Sequence, residues 1–431
     1  MKTKRKDPLF VKSIISIILI GLLLITCLIA GCIYHATGTP PKVPSVQTQP
    51  TTTLATFQSV PVPPEYQSMY SNLKSDMDQY DAILASRDTG TSYPVIFGAE
   101  LLPANINRGD VLLQPSVLES VNLTLDRYQG MGIQGVTIPI HYPIYTPDYP
   151  RYKEYVAFYK QVADDVHQRG MKLVVENAIL FANTPYSPVT WDYSRVSFDQ
   201  YKSIKKQMVE SIIQDIQPDY LDIGAEPDTE YELTGWKELK DPAKYTEMVS
   251  FVLKDLDRKT TKVGAGVGTW ESTDYAQRYA ADTNLDFISL HVYPVYGSCL
   301  NKIDTVTGIA NKYNKSVIMD ETWLYKQDSP KGTGMAQTLE AYGMDIFSFW
   351  SPLDRQFLGT MTRAARQENI EYISPFWSTY FFGYVDYTPA TDVMNFSDRM
   401  NTVNRVASGN ILTRQLTPTG QYYKDLIRNN T

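Results

Sequence analysis

The chain is poor in cysteine and histidine, and the few that it has are scattered. Its 431 residues include three cysteines and four histidines. No paired cysteines and no His-x-x-His spacing have the form of a zinc site, so we expect neither a bound metal nor a cofactor. Cys27 and Cys32 lie in or beside an apolar N-terminal stretch. Cys299 is then left alone, and no intramolecular disulfide is expected.

Basic charge is scarce as well. Lysine and arginine number 40 against 47 acidic residues, a net charge of −7, which gives no sign of a nucleic-acid-binding surface. A Gly-x-Ser-x-Gly motif, which carries the nucleophilic serine of many hydrolases, is also missing. With 43% apolar and 12% aromatic residues, the chain can form a large core in one or two domains. We expect a monomer.

The N-terminus has the pattern of an export signal. Four basic residues among the first six precede an apolar stretch over residues 13–30, as in secretory signals and signal anchors. The stretch ends in Leu-Ile-Ala-Gly-Cys32, which resembles the lipobox of prokaryotic lipoproteins, where the cysteine becomes lipid-modified. An uncleaved membrane helix stays open as an alternative, because about 20 residues span a bilayer. Either one would place the chain on the extracytoplasmic face of the cell membrane.

The next segment, residues 33–64, is rich in threonine and proline and almost free of charge. Such a composition cannot bury a core and stays extended. We therefore predict a signal peptide or membrane anchor over residues 1–32, a disordered linker over 33–64, and one folded domain over 65–431.

Short apolar runs alternate with helix-like segments beyond the linker. Runs of four to seven residues between polar or glycine-rich segments are typical of buried parallel strands. Eight of them occur, at residues 95–98, 135–140, 172–176, 220–224, 263–267, 286–290, 316–319 and 346–350. The segments between them have apolar residues at helical spacing, and glycine or proline follows several of them, as at helix ends.

Eight strand–helix units favour a (β/α)8 TIM barrel, an α/β fold, over an open doubly wound sheet. The first predicted strand leads into residues 99–107, which have no glycine-rich phosphate turn. A helix around 392–406 would be the eighth. Another helix should close the bottom of the barrel or flank it, with apolar positions at Tyr66, Met69, Tyr70, Leu73, Met77 and Tyr80.

The ends of the predicted strands are unusually polar and aromatic. In a TIM barrel, the carboxyl ends of the strands carry the residues that act on a substrate. In chain order these positions hold Glu100, His141, Asn177, Glu226, Trp270, Glu271, His291, Tyr293, Glu321 and Trp350, with Asn105, Asn107 and Trp323 close by. Two glutamates, Glu226 and Glu321, would meet there, and paired carboxyl groups are what the cleavage of a glycosidic bond requires.

In these placements the chain resembles the retaining glycoside hydrolases of the (β/α)8 superfamily called clan A, over residues 93–410. The resemblance implies that Glu226, at strand four, is the acid/base and that Glu321, at strand seven, is the nucleophile. His291-Val-Tyr293 at strand six is similar to a His-x-Tyr element whose tyrosine hydrogen-bonds the nucleophile. Trp350 at strand eight is similar to a tryptophan that floors the sugar site.

By this resemblance the protein would be an O-glycosyl hydrolase that cleaves β-linked poly- or oligosaccharide by double displacement. One position departs from the pattern. The superfamily has Asn-Glu-Pro, with an asparagine that donates to the sugar 2-hydroxyl, whereas this chain has Ala225-Glu226-Pro227. Either Asn177 or His141 supplies the missing donor, or the substrate carries a different group at C2.

Two other functions stay open. A carbohydrate-binding surface lipoprotein on a degenerate barrel would explain Ala225, although a binding protein has no need of two facing carboxyl groups. A structural surface protein would fill the barrel mouth with its own loops, for which the aromatic segment 353–388 is suited; this segment would equally form one wall of a substrate groove. Asp222 and Asp320 receive no role, because alternate residues of a strand point to opposite faces.

Overall fold

The computed structural model describes residues 61–90, 92–327 and 342–430. The predicted signal or anchor over 1–32, with Cys32, and residues 33–60 of the predicted linker lie outside the described residues. Among those three described ranges, no helix has both the length and the apolar character that crossing a membrane requires.

Eight parallel strands form a closed barrel in chain order. Strands β1 and β8 pair through Ile96 and Tyr372, which closes the ring. The predicted (β/α)8 TIM barrel is confirmed. The strands are β1 (Ile96–Glu100), β2 (Gly135–Pro139), β3 (Lys172–Glu176), β4 (Tyr220–Asp222), β5 (Lys262–Gly268), β6 (Phe287–Val292), β7 (Ser316–Thr322) and β8 (Ile370–Pro375).

Helices cover the outside of the barrel. Their ends follow local sequence: Ser197 and Gln200 form a capping box at the start of the fourth helix, and Gly132, at φ 87°, ends the second. The described α-helices are α1 (Gln67–Ser86), α2 (Pro115–Met131), α3 (Tyr152–Gln168), α4 (Phe198–Asp215), α5 (Pro227–Thr234), α6 (Pro242–Leu253), α7 (Asp274–Asp282), α8 (Asn301–Lys312), α9 (Ser351–Gln367), α10 (Pro389–Asp392), α11 (Phe396–Thr413) and α12 (Pro418–Asn430).

The helix predicted to close or flank the barrel is α1, and it flanks it. Its Asp81 accepts hydrogen bonds from Thr360 and Arg363 of α9, both at 2.9 Å. The helix predicted around 392–406 is α11, which begins four residues later and is followed by α12. In α12, the Tyr423 hydroxyl donates to the carbonyl of Gly98 in β1 at 2.8 Å, so the C-terminal helix is joined to the barrel wall.

The prediction of strand eight at residues 346–350 is wrong. Ile346, Phe347, Phe349 and Trp350 are fully buried, but residues 348–350 form a 3-10 helix that leads into α9. The eighth strand lies 24 residues later, from Ile370. A short apolar run predicts burial without distinguishing a strand from the start of a buried helix, and here it marks the latter.

Aromatic rings fill the interior at the amino ends of the strands. Tyr220, Phe287 and Tyr372 pack together there with Val174 and Ile318. Glycines on neighbouring strands make room for them, since a Cβ at Gly98 would lie 2.1 Å from the Tyr372 hydroxyl oxygen and a Cβ at Gly264 would lie 2.1 Å from the Phe287 ring. The aromatic layer therefore fills the barrel at the amino ends of its strands.

Gly264→Ala should lower the free energy of unfolding by about 1–3 kcal/mol, because the added methyl group overpacks this aromatic layer. Gly308→Ala in α8 is the matched control, since no atom lies within 4 Å of its added Cβ, and alanine should stabilise the helix by up to about 1 kcal/mol. Urea unfolding midpoints followed by circular dichroism would measure both. Equal midpoints for the two variants would contradict the close packing of Gly264 against the Phe287 ring.

Candidate active site

A pocket opens at the carboxyl ends of the strands. Its wall contains several residues that were predicted to act on a substrate. It also contains residues for which no role was predicted. The predicted members are Asn105, Asn107, His141, Glu226, His291, Tyr293 and Glu321. The unpredicted members include Glu176, Thr229, Phe181, Tyr325 and Tyr342, and Phe376 comes from the segment 353–388 that was predicted as a possible groove wall.

Glu226 follows β4 and stands immediately before helix α5, whose first residue is Pro227. Proline suits that position because its missing N–H would have no partner in the first turn of a helix. Thr229 in the same turn donates from Oγ1 to Glu226 Oε2 at 2.7 Å. The carboxyl group is therefore held by its own helix, and its side chain remains 18% exposed to the pocket.

Glu321 lies near the end of β7. The hydroxyl of Tyr293 donates to its Oε2 atom, as the sequence resemblance implied. The side chain is 13% exposed. Burial raises the pKa of Glu321, against the opposing effect of the nearby His291.

The two glutamates face each other across a short gap. An oxygen of Glu226, an oxygen of Glu321 and a nitrogen of His291 all lie within 4.8 Å of one another. His291 Nδ1 is 2.9 Å from Glu226 Oε1 and 3.4 Å from Glu321 Oε2. The hydrogen bond of the histidine is therefore to Glu226, and its contact with Glu321 is longer.

The charge on His291 follows from its surroundings. Burial by itself lowers the pKa of this imidazole, but the negative charges of Glu321, Asp320 and Glu226 outweigh burial and raise the pKa well above its usual value. A cationic imidazole favours the ionised form of a neighbouring carboxyl group, here Glu321. His291 thus partly offsets the effect of burial on Glu321.

At and below the pocket floor, the barrel interior holds an unusual set of acidic groups. Glu100, Glu176, Asp222 and Asp320 are all buried, none more than 2% exposed. Burial raises the pKa of each one, to about 7 in Asp320. Asp320 was predicted to have no role, yet its Oδ1 lies 3.6 Å from His291 Nε2 and accepts a hydrogen bond from Ser289.

His141 lies in the pocket wall, as predicted. Its Nδ1 accepts a hydrogen bond from the backbone N–H of Ala178 at 3.1 Å. Burial, together with the charge of Lys205, lowers the pKa of His141 to about 3. The side chain is therefore neutral at physiological pH, and its other nitrogen, Nε2, carries the proton.

Two of the polar residues predicted to touch substrate are buried beneath the surface. Asn177 is 1% exposed and donates to the carbonyl of Ile140 at 2.7 Å, so it does not supply the donor missing at Ala225. Glu100 is fully buried beside Asn105. Direct substrate contact is a wrong prediction for both residues.

The tryptophans also differ from expectation. Trp323 is fully buried and stacks on Tyr380, and Trp350 is fully buried and stacks on Tyr70 of α1. Neither indole can reach a sugar, and the prediction is wrong for both. Trp270 is half-buried and donates from Nε1 to Asp228 at 2.9 Å; its contact with a substrate stays a prediction.

Other aromatic residues form the pocket rim. Phe376 follows β8 and lies edge-on to Tyr293 at 6.1 Å, so it occupies the place at strand eight that had been predicted for a tryptophan. The hydroxyl groups of Tyr325 and Tyr342 are 2.6 Å apart, and both residues line the pocket. The segment 353–388, proposed as a cover or groove wall, is mainly α9 and β8, and Phe376 is its contribution to the wall.

Comparison with known proteins supports the fold. No protein-family model matches the sequence, and no curated protein sequence matches it. Among solved structures, the chain is similar to the exo-β-1,4-mannosidase Op5Man5 from Opitutaceae bacterium strain TAV5, with a TM-score of 0.53 and 14% identity. The alignment covers 80% of this chain and 61% of the mannosidase, so the chain spans less than two thirds of that protein.

A second similar structure is a GH5_18 protein from Bifidobacterium longum subsp. longum in complex with Manβ1-4GlcNAc. Its TM-score is 0.50 and its identity 15%, over 78% of each chain. At these identities the similarity shows a shared barrel fold. The chain therefore has the (β/α)8 architecture found in glycoside hydrolases.

Proposed function

We propose that this protein is a glycoside hydrolase that cleaves β-linked poly- or oligosaccharides by a retaining double displacement. The observation that carries the proposal is the gap between Glu226 and Glu321, whose oxygens lie within 4.8 Å of each other. Retaining enzymes hold their two carboxyl groups about 5–5.5 Å apart, whereas inverting enzymes need about 6.5–9.5 Å to admit a water molecule.

The roles follow from the contacts of each carboxyl group. Glu321 receives the Tyr293 hydroxyl, which orients the carboxylate for attack on an anomeric carbon as nucleophile. Glu226 is positioned by Thr229 and His291 and donates a proton to the departing oxygen. After that step it returns as the base that activates water, because a retaining enzyme uses one residue for both proton transfers.

Hydrolysis of aryl β-glycosides and soluble β-glucans, galactans, mannans and xylans tests the proposal. β-Mannosides come first, because one similar protein is a β-1,4-mannosidase and the other binds Manβ1-4GlcNAc. We expect turnover on at least one member of the panel, with a first-formed product that keeps the β configuration by nuclear magnetic resonance. An α product formed first would contradict the retaining mechanism.

Tyr293→Phe should lower kcat by about 10–100-fold, because it removes a hydrogen bond to a charged group that is worth about 1.5–3 kcal/mol. Tyr275→Phe is a matched control. Its hydroxyl donates to the backbone of Leu239 at 2.9 Å, outside the pocket, and kcat should stay unchanged. Steady-state kinetics on the best panel substrate would measure both. Equal kcat values for wild type and Tyr293→Phe would show that the tyrosine does not orient the nucleophile.

A carbohydrate-binding protein without activity is the second candidate, favoured by Ala225 in the pocket wall. Its small side chain offers no hydrogen-bond donor beside Glu226. Calorimetric binding of a glycan, with no product and with unchanged affinity in Glu226→Gln and Glu321→Gln, would support this candidate. An Ala225→Asn variant with lower activity than wild type would instead indicate a substrate with a different group at C2.

The N-terminal residues complete the proposal. The protein is exported, lipid-modified at Cys32 or anchored by residues 13–30, and acts as a monomer on carbohydrate at the cell surface. The lipobox-like sequence and the basic residues before it support this location. A Cys32→Ser variant that no longer incorporates labelled fatty acid would establish lipid modification; equal labelling in wild type and variant would exclude Cys32 as the site.

A further inference from the structure

Three side chains at the floor of the pocket converge on one buried point. They are Glu176 from the end of β3, His291 from β6 and Asp320 from β7, each at most 2% exposed. One oxygen or nitrogen from each lies within 4.8 Å of the others. His291 Nε2 is 3.6 Å from Asp320 Oδ1 and 4.0 Å from Glu176 Oε1.

Two of the atoms that face this point have no protein partner. Within the described part of the chain, His291 Nε2 and Glu176 Oε1 are buried polar atoms without a hydrogen bond. The Asp320 atom nearest to His291 Nε2 is Oδ1, which accepts a hydrogen bond from Ser289. Separations of 3.6 and 4.0 Å are too long for hydrogen bonds. Buried polar atoms are almost always satisfied in folded proteins, so the arrangement calls for a group that bonds to several of them at once.

We propose that Glu176, His291 and Asp320 bind a divalent transition-metal ion, with Zn²⁺ as the best match. Two ligand atoms about 2.0–2.2 Å from one tetrahedral zinc ion lie roughly 3.3–3.6 Å apart. The separation of 3.6 Å between His291 Nε2 and Asp320 Oδ1 matches that spacing, and the 4.0 Å separation from Glu176 Oε1 requires this carboxyl group to move slightly inward on binding. One imidazole and two carboxylates supply three ligands of types that zinc binds, and a water molecule would take the fourth position.

The surroundings of the three ligands fit a metal centre. Ser289 donates to Asp320 Oδ1, and His291 uses its other nitrogen, Nδ1, to contact Glu226 Oε1 at 2.9 Å. Histidine ligands commonly donate their second ring N–H to a carboxylate, which sets the tautomer and the ring orientation. Metal binding would displace the proton that Nε2 carries in the cationic imidazole and leave the remaining proton on Nδ1, facing the proposed acid/base.

Charge and access favour the same assignment. A divalent cation would offset the negative charge of Glu176 and Asp320, as well as that of Asp222, which is also fully buried and has an unpartnered Oδ2. Buried charges are stable when they are paired or coordinate metals. Glu176 also lines the pocket, which gives an ion a path from solvent.

The other possible ligand group, Glu226 and Glu321 with His291 Nδ1, is less suitable. Thr229 already holds Glu226 Oε2 and Tyr293 holds Glu321 Oε2. An ion there would occupy the gap in which the sugar must react under the proposed function. The site at the floor of the pocket leaves that gap open, and its existence does not depend on glycosidase activity.

The test uses the purified, tag-free full chain, stripped with EDTA and then equilibrated with ZnCl₂. We expect about one zinc per chain to remain after gel filtration, measured by plasma mass spectrometry, and a rise in the thermal unfolding midpoint of about 3 °C or more. Glu176→Gln and Asp320→Asn should weaken zinc binding by at least about tenfold, because each loses an anionic ligand.

Glu230→Gln is the matched control. Glu230 is another buried carboxyl group near the pocket, but it bonds to the Tyr245 hydroxyl at 3.0 Å and should bind zinc like the wild type. No retained zinc in the wild-type chain, or equal retention in Glu176→Gln and Asp320→Asn, would overturn the proposal. If either of these variants fails to fold, the wild-type stoichiometry and its thermal shift decide the question, and neither readout requires turnover.

Discussion

Glu321→Gln should lower kcat/KM for β-glycoside hydrolysis by about 10⁴-fold or more. Glutamine keeps the shape of the side chain and can still accept the Tyr293 hydroxyl, but its amide cannot form the glycosyl–enzyme bond of a double displacement. Losses of this size are typical when the attacking residue of a covalent mechanism is removed. Steady-state kinetics on an aryl β-glycoside would measure the effect.

The control for this variant is Glu371→Gln. Glu371 pairs with Lys262 at 2.9 Å near the amino ends of the strands, at the opposite end of the barrel from the pocket, so its loss should leave kcat/KM within about twofold because exposed pairs contribute little. A Glu321→Gln enzyme that keeps more than a tenth of wild-type activity would rule out Glu321 as nucleophile. The glycosyl–enzyme intermediate should also be absent from its mass spectrum.

Glu226→Ala should slow hydrolysis by about 10²–10⁴-fold on substrates whose leaving group must be protonated, the usual contribution of a general acid. With a dinitrophenyl β-glycoside, formation of the glycosyl–enzyme should be almost unaffected, because this leaving group departs without a proton. Azide should then restore turnover and release a β-glycosyl azide, since the small anion attacks without needing the missing base. Pre-steady-state bursts and product analysis would measure these effects.

Glu321→Gln serves as the reference in the same experiment, because without a nucleophile azide should give no β-product. If Glu226→Ala lost the same factor in rate on substrates with good and with poor leaving groups, Glu226 would orient the substrate rather than transfer a proton. The two variants therefore separate the two roles, even though both side chains contact the same imidazole.

The fold was largely predictable because most of its strands coincide with short apolar runs in the sequence. The third strand was predicted at its observed bounds, Lys172–Glu176, and six of the others overlap the observed strands within two or three residues at either end. Strand eight failed because 346–350 and 370–375 are both short segments with buried apolar residues. Only the packing of Trp350 against α1 shows that the first of them belongs to the outer layer.

The candidate site was predictable only in part. Position at a strand end pointed to Glu226 and Glu321, but it could not tell whether Glu176 or its neighbour Asn177 faces the interior. A one-residue change in register turns a side chain to the other face. In the structure Glu176 lies in the pocket wall, and Asn177 turns to the carbonyl of Ile140.

Asp320 shows why alternation was not enough. Between Ser289–Ile318 and His291–Glu321, the β7 side of the β6–β7 ladder contains one extra residue. Such a bulge breaks the two-residue period, so that neighbouring residues are no longer forced to opposite faces. Asp320 and Glu321 consequently both lie near His291.

By itself the sequence determined the barrel class, the order of its strands and the position of two glutamates at strand ends. Apolar periodicity and position along the chain are local properties, and these features follow from them. The tertiary structure decided which atoms meet: the carboxyl oxygens of those glutamates within 4.8 Å of each other, the bond from His291 to Glu226, and the buried cluster with Glu176 and Asp320. Those contacts depend on barrel closure and strand register, which join residues far apart in the chain and which no local pattern records.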